Sequence, residues 1–189
     1  HGTVARLRPF GGTIFAEMSE LAVRHGAVNL GQGFPDWDGP PRMLEVARER
    51  IAAGVNQYPP GRGMPGLRAA IADDRAARYG SVLDPATEVL VTVGGSEAID
   101  LCLRALVCPG DEVLIPDNAY GPSKTLAEGE LAAWGITHRY YDPMDLSDLE
   151  SKLSPRTRLV WLEAAGSVTL EFPDLAAQVR LCRSRGVLT

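Results

Sequence analysis

The sequence predicts an α/β fold, a three-layer αβα arrangement around a mainly parallel sheet. Two observations carry this. From residue 88 onward, short apolar runs rich in β-branched residues recur at intervals. Stretches with helical periodicity separate them, the order expected when parallel strands are joined by helices on both faces. No internal repeat or low-complexity segment points to another architecture.

Taken in order, residues 1–39 read as an arm and loop region. A short helix is expected near Thr13–His25, followed by a loop in V-N-L-G-Q-G-F-P-D-W-D-G-P-P, where Gly and Pro punctuate densely. Residues 40–189 read as one larger, incomplete domain. Pro40 and Pro41 open a helix to about Ala53, because proline is tolerated in a first turn. Residues 56–63 form a loop, and 65–79 a helix with Leu67, Ile71 and Ala72 on one side. E-V-L-V-T-V (88–93) reads as the first core strand, with a helix over D-L-C-L-R-A-L-V. D-E-V-L-I-P, I-T-H-R-Y-Y and R-L-V-W-L-E read as the next three strands, with helices over 121–134, D-L-S-D-L-E-S-K-L and 173–185. G-V-L-T starts a fifth strand, and a domain stopping there leaves an edge without partners. Beginning at His1 rather than Met, the chain reads as a fragment.

Composition excludes several classes. The 189 residues carry a net charge of −5 with no basic run, against a nucleic-acid partner. No apolar stretch approaches the ~20 residues of a membrane span, and the first residues lack the apolar core of a secretory signal. Cys102, Cys108 and Cys182 make no C-x-x-C pattern and cannot all pair, which favours a reducing, cytoplasmic setting. His1, His25 and His138 are scattered without metal-ligand spacing, so no metal is expected.

The chemistry concentrates after the first expected strand. Val89–Val93, Gly94, Gly95, Ser96 and Glu97 make a strand–turn–helix. The first turn of a helix has unpaired N–H groups and the positive end of the peptide dipole, and glycines let an anion approach the backbone. The N–H groups near Gly95 and Ser96, with the Ser96 hydroxyl, can hold a phosphate. Equally, the glycines serve only a tight turn and Ser96 only a cap. No G-K-[ST] follows and no G-x-G-x-x-G is present here, so this is neither a nucleotide P-loop nor a dinucleotide fingerprint.

Three motifs in sequence, V-N-L-G-Q-G-F-P-D, N-Q-Y-P-P-G-R-G-M-P-G-L-R and E-V-L-V-T-V-G-G-S-E-A-I, resemble class I aminotransferases of the pyridoxal-phosphate (PLP) fold type I. The likeness covers about residues 3–116 and is strongest to the N-succinyldiaminopimelate and kynurenine aminotransferase branch. From about residue 117, D-N-A-Y-G-P-S, Y-Y-D-P, L-S-P-R-T-R-L-V-W-L-E-A-A-G-S-V-T-L-E and F-P-D-L-A-A resemble cystathionine β-lyase instead. An aminotransferase would carry an N-P-x-N-P-T-G type stretch where E-A-A-G-S-V-T stands. The chain therefore reads as a hybrid whose likeness changes near 108–118.

The resemblance implies an aspartate aminotransferase-like large domain over 40–189, PLP as cofactor, an amino-acid substrate and, in the parent families, a homodimer, which a chain with an incomplete large domain is not expected to form stably. It places the PLP phosphate at Gly95 and Ser96, and the cofactor ring on Tyr120. It brings the Tyr58 hydroxyl, with Arg62 close by, to the phosphate of the neighbouring subunit. Residues 1–39 would form an arm and substrate-side loop, in which Gly33 lines the substrate carboxylate site and Phe34 helps gate it.

The resemblance also shows what these residues lack. PLP chemistry needs a lysine amine for the Schiff base and an acid at the pyridinium nitrogen. The two lysines, Lys124 and Lys152, both fall outside the family position, and the aspartate and substrate-binding arginine would lie beyond G-V-L-T. No catalytic residue is assigned. The sequence thus supports two readings: part of a PLP enzyme acting by transamination or C–S β-elimination, inactive alone, or a non-catalytic α/β fragment binding at most PLP phosphate or another anion.

Overall fold

The computed structural model describes residues 12–31, 33 and 35–189. Contacts divide the chain into two units, His1–Pro59 and Pro60–Thr189. The first unit holds α1 (Ile14–His25) and α2 (Pro41–Ala52). Thr13 caps α1 through its hydroxyl, which accepts from the Ala16 N–H at 3.2 Å, and Gly26 ends it in the left-handed region at φ 59°. Neither helix buries a residue.

The second unit contains α3 (Pro65–Tyr79), α4 (Gly94–Leu106), β1 (Glu112–Pro116), α5 (Gly121–Leu126), β2 (Thr137–Tyr141), α6 (Leu146–Lys152), β3 (Thr157–Val160) and α7 (Leu175–Ser184). The three strands pair in the order β2–β1–β3, all parallel. β1 is central and wholly buried, which suits a strand of nearly continuous apolar residues covered on both faces.

Alternation along β1 sorts the core into two layers. Val113 and Ile115 point to one face, where Leu103 of α4 and Ala127, Leu131 and Ile136 join them. Leu114 points to the other, with Tyr141, Leu149 of α6, Val160 and Cys182 of α7. The expected αβα layering is therefore present in this unit. Each fully buried side chain such as Leu114 contributes about 1.5–3 kcal/mol.

Three expected elements differ. Residues 88–93 form no strand. Val89 is buried, but Leu90 and Val93 are exposed, and the Val91 N–H donates only to the Arg62 carbonyl at 3.2 Å. A strand needs a ladder of such bonds, and among the described residues no neighbour supplies one. The expected helix over 121–134 is α5 followed by a π-helical turn, Ala127–Leu131, which turns Ala127 and Leu131 into the core. The last expected strand is reduced to one parallel bridge, Leu188 beside Leu159. Among the described residues, no helix is long and apolar enough to cross a membrane.

Candidate functional site

The start of α4 is built by its glycines. Gly94 sits at φ 83°, a conformation that costs a side-chain-bearing residue, and it swings the chain from the exposed Val93 into the helix. The Thr92 hydroxyl donates to the Gly94 carbonyl at 3.1 Å. The Glu97 carboxylate reaches back and accepts the Val93 N–H, as the acidic partner of a capping box does. Among the described residues, none accepts from the N–H groups of Gly94, Gly95 or Ser96. Apart from the adjoining chain of the helix itself, nothing lies within 4 Å of where a Cβ on Gly94 or Gly95 would sit. The helix thus presents open donors at its positive end, with one carboxylate, Glu97, nearby.

Ser96, Ile99 and Asp100 of α4, Tyr120 and Ser123 beside and on α5, and Trp161 after β3 line a cavity of about 280 Å³. Tyr120 follows β1 and Trp161 follows β3, at the carboxyl ends of parallel strands, the edge where open α/β sheets bind ligands. The Tyr120 N–H donates to both oxygens of Glu163, at 3.0 and 3.2 Å. Asp100 would repel an anion, but both its oxygens accept from the Arg104 Nε, at 3.0 and 2.8 Å.

Gly95 and Arg62, in the same unit, do not line this cavity. Gly95 faces open space at the helix start. Arg62 donates from a guanidinium nitrogen to the Ala86 carbonyl at 3.1 Å, which Arg68 also reaches. Tyr58 and Gly33 belong to the first unit and are exposed, Tyr58 completely. Phe34 lies outside the described residues.

Neither lysine lines the cavity. The Lys124 ammonium donates to the Asp117 carbonyl and lies 5.4 Å from the centre of the Tyr140 ring. Burial, reinforced by a bond to Glu128, pushes the Tyr140 hydroxyl up to about 12, so that ring stays neutral beside the cation. Lys152 pairs with Asp148 at 2.7 Å, one turn away on α6. Among the described residues, no cluster of His, Cys, Asp and Glu is placed to hold a metal.

Sequence reasoning did not single out Trp161, Glu163 or Glu97. An acid in the first turn signals Glu97 through capping logic. Nothing local signals Glu163, 43 residues from Tyr120.

The start of α4 fits a phosphate ester, and Tyr120 and Trp161 supply flat faces in the same cavity. The family model for Cys/Met metabolism PLP-dependent enzymes matches residues 79–189. The probable N-succinyldiaminopimelate aminotransferase DapC of Mycobacterium tuberculosis is 46% identical over 187 residues, 93% of this chain and 46% of that protein. A putative cystathionine β-lyase of Saccharomyces cerevisiae is 36% identical over 100 residues, 53% of this chain and 29% of the lyase. The family match begins within the stretch carrying aminotransferase motifs, so the two likenesses overlap. The solved aspartate aminotransferase of Thermus thermophilus superposes with a TM-score of 0.77 at 25% identity, over 99% of this chain and 52% of that one. The chain spans about half the length of the curated relatives it matches first. With an aspartate aminotransferase-like fold and a match over more than half its residues, the chain belongs to the Cys/Met metabolism family of PLP-dependent enzymes.

Proposed function

We propose that this chain is the part of a PLP enzyme of amino-acid metabolism that seats the cofactor phosphate at the start of α4 and its ring against Tyr120. We further propose that these 189 residues alone perform neither transamination nor C–S β-elimination. One observation carries the reading: Ser96 and Tyr120 line one cavity, while both lysines are engaged elsewhere.

Bound there, PLP would supply an aldehyde and an electron-accepting ring. The residues' own roles follow from their chemistry. The Gly95 and Ser96 N–H groups and the Ser96 hydroxyl donate to phosphate oxygens. The Tyr120 phenol offers its face to the pyridine ring. Arg104 holds Asp100 in an ion pair and blunts its repulsion of the anion. Trp161 keeps that side of the cavity apolar. Neither Lys124 nor Lys152 is positioned to condense with an aldehyde or to move a proton at a substrate carbon.

By family likeness, the substrate is an amino acid, with Gly33 and Phe34 on its side of the site. Tyr58 and Arg62 would serve the phosphate of a second subunit. Tyr58 is completely exposed, and Ile14 and Phe15 are more than half exposed on a helix that buries nothing, which supports a surface for a second subunit.

The test mixes purified chain with PLP and with inorganic phosphate. The expected result is saturable binding of both, weakened by Ser96→Ala, and no yellow adduct fixed by borohydride. A stoichiometric adduct lost in Lys124→Ala overturns the inactivity. Binding of neither ligand overturns the phosphate seat and leaves a non-catalytic fragment.

A further inference from the structure

Tyr120 can stack on a ring only if something fixes where it points, and its own surroundings do little of this. It is 54% exposed and precedes α5, a helix of 6 residues with no side-chain cap. Its carbonyl accepts the Ser123 N–H at 2.9 Å as α5 begins, whereas its N–H is held by a distant segment, residues 163–171.

That segment takes hold of the chain on both sides of Ala119. The Tyr120 N–H donates to both oxygens of Glu163, at 3.0 and 3.2 Å. Two residues earlier, the Asn118 carbonyl accepts the Ser167 N–H at 2.9 Å. The buried Asn118 side chain donates to Glu171 at 2.8 Å and to the Thr169 hydroxyl at 3.4 Å. The segment is closed on itself by two backbone bonds, Gly166 N–H to Glu171 carbonyl at 2.8 Å and Leu170 N–H to Gly166 carbonyl at 2.9 Å. Gly166 is also too close to Asn118 for a side chain: a Cβ there would lie 2.2 Å from the Asn118 amide nitrogen. The segment thus grips the two residues that flank Ala119, through the main-chain donor of Tyr120 and the main-chain acceptor and buried side chain of Asn118.

From this geometry we infer that residues 163–171 act as a clamp presenting the Tyr120 ring to its ligand, with Glu163 as the positioning residue. The inference rests on the functional reading above and extends it to residues that touch no ligand. Glu163 acts through the main chain. Its carboxylate is a charged acceptor, stronger than a neutral one for the same N–H, and it fixes the backbone from which the ring projects. Phosphate binding at α4 does not involve the clamp. Loss of Glu163 should therefore separate ring recognition from phosphate recognition.

The experiment measures two affinities on the full chain through tryptophan fluorescence, for which Trp161 in the cavity wall is the reporter. One ligand is deoxypyridoxine phosphate, which has the ring and phosphate but no aldehyde. The other is inorganic phosphate. In Glu163→Ala, affinity for the ring-bearing ligand is expected to fall about tenfold, the scale of one lost charge-assisted hydrogen bond, with inorganic phosphate unchanged. Glu163→Gln keeps an acceptor and should restore most of the loss. Amide exchange at Tyr120 should quicken in Glu163→Ala and stay slow in Glu163→Gln. Equal ring affinity in wild type and Glu163→Ala overturns the clamp while the functional reading stands. So does a parallel loss of both ligands that Glu163→Gln fails to rescue. If wild-type chain binds inorganic phosphate but not the ring-bearing ligand, the assignment of Tyr120 and this role for Glu163 both fall. If it binds neither, the phosphate seat falls with them.

Discussion

Glu112 and Arg139 form the one ion pair among the described residues in which a carboxylate is almost wholly buried. Glu112 leads the central strand and is 2% exposed. The Arg139 Nε and an outer nitrogen donate to its two oxygens at 2.7 and 2.9 Å from the register-neighbouring strand. Thr157 of β3 and Ser154 donate to the same carboxylate at 2.7 and 2.9 Å. One carboxylate therefore ties together the amino-terminal ends of all three strands, opposite the edge that carries Tyr120. A buried charge held by one partner alone would cost stability; three donors satisfy it.

This pair makes stability depend on acid. The Arg139 bond, aided by Thr157 and Ser154 and opposed by burial, lowers Glu112 from 4.5 to about 2. A depressed folded pKa means that the folded state holds its proton less tightly than the unfolded chain does. The stabilisation is complete above about 4.5 and is lost as pH falls from there towards about 2. With Arg139 itself 44% exposed, solvent screening reduces the contribution to about 2 kcal/mol. Urea denaturation between pH 6 and pH 3 is expected to show this loss, at pH values where Glu112→Gln shows a shallower slope. Arg139→Ala leaves the carboxylate with hydroxyl partners only and is expected to cost about 3–5 kcal/mol at neutral pH; equal stability of that variant would refute the pairing.

Glu97 should oppose the ligand it sits beside. Its carboxylate holds the Val93 N–H and brings negative charge to the same helix end that would receive a phosphate. Glu97→Gln keeps an acceptor for that N–H and removes the charge. Affinity for inorganic phosphate is expected to rise about two- to fivefold, matching the ~0.3–1 kcal/mol of a single charge at a helix terminus. The gain should shrink as salt is raised. Isothermal titration at two ionic strengths checks both statements.

The contrast between the strands shows what a sequence can and cannot declare. β1 to β3 were legible because E-V-L-I-P, T-H-R-Y-Y and T-R-L-V carry apolar residues on the faces their layers bury. E-V-L-V-T-V has an equally strong pattern, yet its N–H groups find only two isolated carbonyls, Asp84 for Glu88 and Arg62 for Val91. Periodicity reports what side chains would do in a strand; it is silent on whether a neighbouring backbone exists to complete the ladder. The site divides in the same way. Ser96 was legible from turn and helix-start chemistry, which is local. Tyr120 came from family likeness, since a loop tyrosine carries no signal of its own. Glu163 and Trp161 were not legible, because only parallel pairing of β3 beside β1 brings them to Tyr120.

The contact of residues 88–93 with the preceding loop has its own test. Gly63 sits at φ 92°, and a Cβ there would lie 2.5 Å from a Val91 methyl. Both the backbone and the space forbid a side chain. Gly63→Ala is expected to destabilise by about 2 kcal/mol, combining left-handed strain with overpacking. In Gly63→Ala/Val91→Gly the Val91 Cβ, which would lie 2.6 Å from the new one, leaves with the methyls, so the overpacking is relieved and the strain remains. Its destabilisation should therefore be smaller than the sum of the two single variants, a coupling readable by thermal denaturation.

Gly166 provides the matching test at the other side of the site. A Cβ would lie 2.2 Å from the Asn118 amide nitrogen and 2.7 Å from the Thr169 hydroxyl. Asn118 cannot simply yield, because it is buried and its amide is held by Glu171 at 2.8 Å. Gly166→Ala is therefore expected to break the Asn118–Glu171 bond rather than compress the contact. Its cost is expected to be about 1–3 kcal/mol of stability. The Glu171 carboxyl, held below its usual range chiefly by the Asn118 bond, should titrate at higher pH once that bond is gone. A carboxyl carbon shift for Glu171 that titrates identically in wild type and Gly166→Ala would show that the loop accommodates the methyl group without releasing Asn118.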